Sequence, residues 1–147
     1  MTTAAPFYPH PRLTECLAAA CNDAHPFRIS VVRWGLALVL RVGGELDANN
    51  ITNWQRLLHE AASAAAPGLL VIDTDQLDFM GTCGFAALVD LSTQCHSRDI
   101  ALCLVSTAPA IERIIAACQW RDALPIYPDI DAALDAHHQL NIAELTS

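Results

Sequence analysis

Two short stretches of this 147-residue chain hold side chains able to do chemistry. Met80-Gly-Thr-Cys-Gly84 places a hydroxyl, Thr82, and a thiol, Cys83, where an apolar run gives way to a helical pattern. A helix N-terminus leaves backbone N–H groups unpaired and carries about half a positive charge, so Thr82 sits where an anion is stabilised. The same field lowers a thiol's pKa, the setting for thiolate chemistry at Cys83. The second stretch, Gly43-Gly-Glu-Leu-Asp47, contributes Glu45 and Asp47 after an earlier apolar run. Asp73, Asp75 and Asp78 are able to gather at the same end of a sheet, yet no base or metal motif accompanies them, and they read as turn acids. The sequence has no phosphate-binding loop, dinucleotide fingerprint, nucleophile elbow or metalloprotease helix. No acid, base and nucleophile can be named together, so a non-enzyme without a cofactor is expected.

Composition narrows the partners. Eight basic residues, all Arg, face 16 acids, a formal charge of −8 at pH 7. That removes the basic stripe a phosphate backbone needs, argues against nucleic acid, and favours a basic protein partner. The start of the chain lacks a basic and an apolar segment of the secretory kind, and Leu36 to Leu40 and Leu69 to Ile72 are too short to span a bilayer. A cytoplasmic protein without membrane insertion is the expectation. In that compartment the cysteines at 16, 21, 83, 95, 103 and 118 read as reduced thiols, and Cys16-x4-Cys21 lacks the second pair a metal site needs. A redox switch pairing Cys83 with Cys103 or Cys118 requires Cα atoms within about 7 Å. The histidines fall in the tail, at helix ends and at His137-His138, as solvated side chains do.

The elements that must position these residues follow from periodicity. Residues 1–27 form an extension in which Leu13, Cys16, Leu17, Ala20 and Cys21 mark one face of a short helix ended by Pro26. That helix has three readings: a cap on the sheet, a homodimer contact, or a cover over the partner surface. From 28 to 42 two β-rich runs flank Trp34-Gly35 as a hairpin, broken at Gly43-Gly44. Asn49 or Asn50 caps a helix whose inward stripe is Ile51, Trp54, Leu57, Leu58 and Ala61. Leu69 to Ile72 reads as a strand buried on both faces, followed by a turn holding Asp73, Asp75 and Asp78. A helix then runs to about Ser97 with Phe85, Leu88, Val89, Ser92 and Cys95 inward. Ile100 to Val105, a helix from Pro109, Pro125 to Tyr127 and a helix from Ile130 to Leu140 complete the order, before a tail at 141–147. Strands alternating with helices after a hairpin give an α/β domain with a mixed, mostly parallel sheet. Ligands of such sheets gather beyond the strand carboxyl ends, where both chemical stretches lie.

From about residue 28 to 138 the chain resembles the STAS domain, specifically bacterial anti-sigma factor antagonists. The resemblance is carried by Gly44-Glu-Leu-Asp47, Leu77-Asp-Phe-Met-Gly-Thr-Cys-Gly-Phe-Ala-Ala-Leu88 and Ser106-Thr-Ala-Pro-Ala-Ile-Glu-Arg-Ile-Ile115. It implies a module that binds an anti-sigma factor of serine-kinase-like fold and frees a sigma factor until its hydroxyl is phosphorylated. Thr82 falls on that hydroxyl; a plain N-cap role is the alternative. The implied partner surface is Glu45, Asp47, Asp78, Gly81, Thr82, Cys83, Gly84 and Phe85. Two residues depart from the family pattern. Gly81 replaces the Asp beside the acceptor, so a kinase orienting on that acid modifies Thr82 slowly or leaves a constitutive binder. Gln119 replaces the Gly that ends the later helix, which demands an unfavourable backbone or another geometry. A STAS subunit docked on the ATPase of a membrane transporter, and a redox-responsive module using Cys83, are the competing readings. Trp54 reads as core; Trp34 and Trp120 are open between core and anchor roles.

Overall fold

The computed structural model describes residues 5–6, 27–35 and 37–146, and the side chains of 28–35 and 37–138. The helix expected between Leu13 and Cys21 lies outside the described residues. Six strands form one sheet in the order β1 to β6: β1 (Ala5–Pro6), β2 (Phe27–Trp34), β3 (Ala37–Leu46), β4 (Gly68–Met80), β5 (Ile100–Val105) and β6 (Ile126–Tyr127). Among the described residues four helices connect or follow them: α1 (Ile51–Ala65), α2 (Thr82–His96), α3 (Pro109–Ala117) and α4 (Ile130–Thr146). β1–β2 and β2–β3 pair antiparallel; β3–β4, β4–β5 and β5–β6 pair parallel. The expected alternation and the mostly parallel sheet are therefore observed.

Alternating side chains divide the core between the two sheet faces, as a period of two requires. Leu38, Leu40, Leu70, Ile72 and Leu104 meet α1, α2 and α3 through Trp54, Leu57, Phe85, Leu88 and Ile115. Val39, Leu69, Val71, Cys103 and Val105 face the other way, with Ala133 of α4. Trp54 is fully buried, as its place on the stripe predicts, whereas Val89 and Ser92 are half-buried and Leu91 and Ala87 take the inner positions of α2. Trp34 and Trp120 are also half-buried against the two cores.

Two expectations about chain breaks are corrected. Gly43-Gly44 does not end β3. The strand continues to Leu46, with Gly44 at φ +87° and register shifts at Arg41/Gly43 and Gly44/Glu45. Glycine here permits irregular pairing, as at a β-bulge, instead of terminating the ladder. Nor do Asp73, Asp75 and Asp78 occupy a turn. β4 runs on to Met80 because, once its pairing with β5 stops at Asp73/Val105, pairing with β3 continues to Leu46/Met80. α4 likewise passes Leu140 and extends to Thr146.

Gln119 carries the strain anticipated for a missing glycine. Its φ is +60°, and α3 closes with Gln119 N–H donating to Ala116 O (3.1 Å) and Trp120 N–H to Ile115 O (2.9 Å). This pair of bonds is the Schellman arrangement, which favours glycine because a Cβ crowds the backbone in the left-handed region. Gln119→Gly is expected to raise stability by up to about 1 kcal/mol. Thermal denaturation should read that as a rise of roughly 2–4 °C; an unchanged or lower midpoint would mean that the αL geometry carries no penalty here.

Candidate functional site

The two chemical stretches meet at the carboxyl end of the β3–β4 pair. Glu45 lies opposite Phe79 and Leu46 opposite Met80, and Gly81 N–H donates to Leu46 O at 2.8 Å, carrying the pairing one step past the strands. α2 starts immediately afterwards, with Gly81 as its N-cap and Gly84 N–H donating to Gly81 O at 2.9 Å. Thr82 is thus the first helical residue, and the cap reading for its hydroxyl is overturned. Gly81 occupies the cap in an extended conformation, φ −69° and ψ 162°, and no side chain makes a capping bond. Thr82 and Cys83 are exposed. Their orphan N–H groups and the helix dipole define a site of positive potential around the hydroxyl.

Two buried polar side chains hold this edge in place. Asn50 is 1% exposed; its Oδ1 accepts Asp47 N–H and its Nδ2 donates to Glu45 O, both at 2.9 Å. Asn50 stands at the N-cap position of α1, as expected, but its side chain makes no capping bond and instead clamps the Glu45–Asp47 end of β3. Asp47 Oδ1 in turn accepts Asn49 N–H at 2.9 Å, an Asx turn that fixes the half-buried carboxylate. From α1, Trp54 Nε1–H donates to Gly84 O at 3.2 Å and ties the first turn of α2 to the core. Gly84 has no room for a side chain: an added Cβ would stand 2.7 Å from Met80 Cγ and 3.3 Å from Leu46 Cδ2.

The residues expected at a partner surface separate by exposure. Glu45, Asp78, Thr82 and Cys83 are exposed, and Asp47 and Gly81 are half-buried. Gly84 and Phe85 are buried, Phe85 at 1%, so they position the surface from beneath. Of the other acids, Asp73 pairs with Arg41 at 3.7 Å, and Asp75 Oδ1 accepts from the Thr107 N–H (3.0 Å) and hydroxyl (3.3 Å), binding β4 to the loop before α3. Phe79 escaped the sequence reading. It is 54% exposed, the large apolar side chain most open to water among the described residues. Its alternation with buried Met80 was a usable signal, obscured by the expected turn.

No two of the described cysteines are joined in a disulfide. Cys83, Cys95, Cys103 and Cys118 are free thiols. Cys103 points into the α4 side of the sheet while α2, which carries Cys83, packs on the other, and Cys118 closes α3 at the end away from the Ala108–Ile111 turn beside the site. Burial pushes the Cys103 thiol up to about 12, which suppresses its thiolate. Among the described residues no group of three or more His, Cys, Asp or Glu could hold a metal, and no helix is long and apolar enough to cross a membrane.

Comparison with known proteins agrees with this geometry. The STAS domain family profile matches residues 28–133. A Mycobacterium tuberculosis protein named as an anti-anti-sigma factor is 44% identical over 128 residues, covering 86% of each chain. RsfA of the same species, named an anti-sigma-F factor antagonist, is 42% identical over 101 residues, 68% of this chain and 79% of RsfA. An anti-sigma factor antagonist of Mycobacterium paratuberculosis shares the fold with a TM-score of 0.68 at 24% identity, over 79% of this chain and 97% of that one.

The Asn50 clamp gives a direct test of how the edge is built. Asn50→Ala leaves Asp47 N–H and Glu45 O without partners and should cost about 1–3 kcal/mol in urea denaturation. Asn49→Ala, on an exposed side chain, should stay within about 0.5 kcal/mol. Equal effects would show that the loop does not depend on Asn50.

Proposed function

Because this chain belongs to the STAS domain family, we propose that it is an anti-sigma factor antagonist, a non-catalytic module that binds a kinase-like anti-sigma factor and thereby releases a sigma factor. The relatives' names support the class of partner. The observation carrying the reading is the exposed Thr82 hydroxyl at the first position of α2, beside the Glu45–Asp47 loop. A protein surface needs only accessibility and shape, which this edge offers.

Phosphorylation of Thr82 is the proposed switch. A phosphate adds about −1.5 to −2 charges at pH 7. Within the fold that charge is tolerated, since it meets the orphan N–H groups and dipole of α2. At an interface it is opposed by Glu45, Asp47 and Asp78 and must be desolvated against a surface shaped for a neutral hydroxyl, which is costly. The fold and the partner therefore respond to one modification with opposite signs. Gly81 does not reflect a steric limit: a Cβ there would keep 3.7 Å or more from its neighbours, at an ordinary φ. The absent family carboxylate slows modification without altering the acceptor's exposure, and a cytoplasmic location follows from the partner class.

The test is titration of purified anti-sigma-F factor, the class of target in RsfA's name, with wild type and Thr82→Glu. Wild type should bind, and Thr82→Glu should weaken binding at least about tenfold, a change of about 1.4 kcal/mol. Thermal stability of Thr82→Glu should be unchanged or slightly raised, because a helix N-terminus favours negative charge. Equal binding by both proteins would remove Thr82 from switch control, and no binding by wild type would remove this partner class.

A further inference from the structure

Beside the Thr82 turn, the end of β4 and the opening of α3 enclose an apolar cleft of about 190 Å3, lined by Leu77, Phe85, Ile111 and Ile114, with exposed Phe79 and Asp78 among its walls. An apolar lining gives water in such a cleft few hydrogen-bond partners. Water there is readily displaced by an apolar side chain. A single exposed aromatic is ordinary on a protein surface. Phe79 differs because it adjoins an apolar cleft and a residue without a side chain. Its Cε1 lies 3.8 Å from the point a Cβ on Gly81 would take, so glycine leaves that ring edge uncovered where an Asp would overlay it and add charge.

Charge selects what enters. Among the described residues no basic side chain lines the cleft, Asp78 is part of its wall, and Glu45 lies opposite Phe79 in the β3–β4 register. With the chain at −8, the complementary occupant is apolar and flanked by positive charge. Resting on the antagonist reading above, we infer that Phe79 and this cleft anchor the anti-sigma factor by taking one apolar side chain from a basic segment, and that Gly81 replaces a carboxylate contact with a ring contact. Specificity then comes from the pair of features. An acidic segment is repelled at the rim, and a basic segment lacking the apolar side chain leaves the cleft unfilled.

Two measurements on the full chain separate this inference from the reading beneath it. In titrations of purified anti-sigma-F factor, Phe79→Ala should weaken binding at least about 30-fold, the size of an interface hot spot. Phe79→Tyr should restore most of it, and Gly81→Asp should weaken binding several-fold. In parallel, isoleucine-methyl NMR follows Ile111 and Ile114 during addition of a peptide with one Leu flanked by Arg, and of the same peptide with Glu in place of Arg. The Arg peptide should shift both methyls, and the Glu peptide neither. If wild type and Phe79→Ala bind the factor equally while Thr82→Glu does not, the antagonist reading stands and the cleft anchor falls. If wild type does not bind the factor, the peptides still decide: no shift at Ile111 and Ile114, or equal shifts with both peptides, overturns the anchor.

Discussion

Parallel pairing of β3 with β4, carried out to Leu46 and Met80 and closed by Gly81 N–H on Leu46 O, is the constraint on which the site depends. It delivers the Glu45–Asp47 loop and the Thr82 turn to the same edge, although they lie more than 30 residues apart in sequence. The driving force lies deeper in the sheet, where Leu38, Val39, Leu40, Leu70, Val71 and Ile72 are fully removed from water. Burying such side chains is worth about 1.5–3 kcal/mol each relative to exposure. The rigid core fixes where the strands end, and the ends fix the site. Asn50 and Trp54, both from the start of α1, then hold one loop each. A surface built this way is preorganised, which lessens the ordering cost of association.

The proposed Thr82 switch draws on the same architecture. Thr82 is set on the first turn of a helix whose buried face, Phe85 and Leu88, is locked into the core. Charge added at its hydroxyl does not have to deform the fold to be felt, since the neighbouring dipole accepts it. The response is confined to the surface, where Glu45, Asp47 and Asp78 already make a negative rim. Electrostatic complementarity of that kind acts strongly on specificity and on association rate.

Much of the fold was legible because buried segments carry strong periodicity. Leu69 to Ile72, the Trp54–Leu57–Leu58–Ala61 stripe and the helix after Thr82 all fall where the spacing predicts them. Gln119 was flagged as well, through the resemblance to a family that has glycine there, and the structure resolves the two alternatives in favour of the unfavourable backbone. The errors share a physical cause. Gly43-Gly44 and the three aspartates are punctuation in isolation, and only pairing with a neighbouring strand converts them into irregular β-structure. Asn50 does hold the N-cap position, but its side chain bonds the Glu45–Asp47 segment instead of the helix, and no local pattern distinguishes the two uses. Phe79 was hidden by the same misplaced turn, because its exposure follows from a strand that local propensity argued against.

The proposed partner surface lies on a single edge of the molecule, and amide hydrogen exchange of the full chain with and without bound anti-sigma factor tests that most directly. Added protection should concentrate in three segments, 44–50, 77–85 and 106–114, with Phe79 and Thr82 at their centre. Strand β2 and helix α4 should exchange as in the free protein. Protection concentrated on β2 or α4, with the Thr82 turn unchanged, would contradict the account.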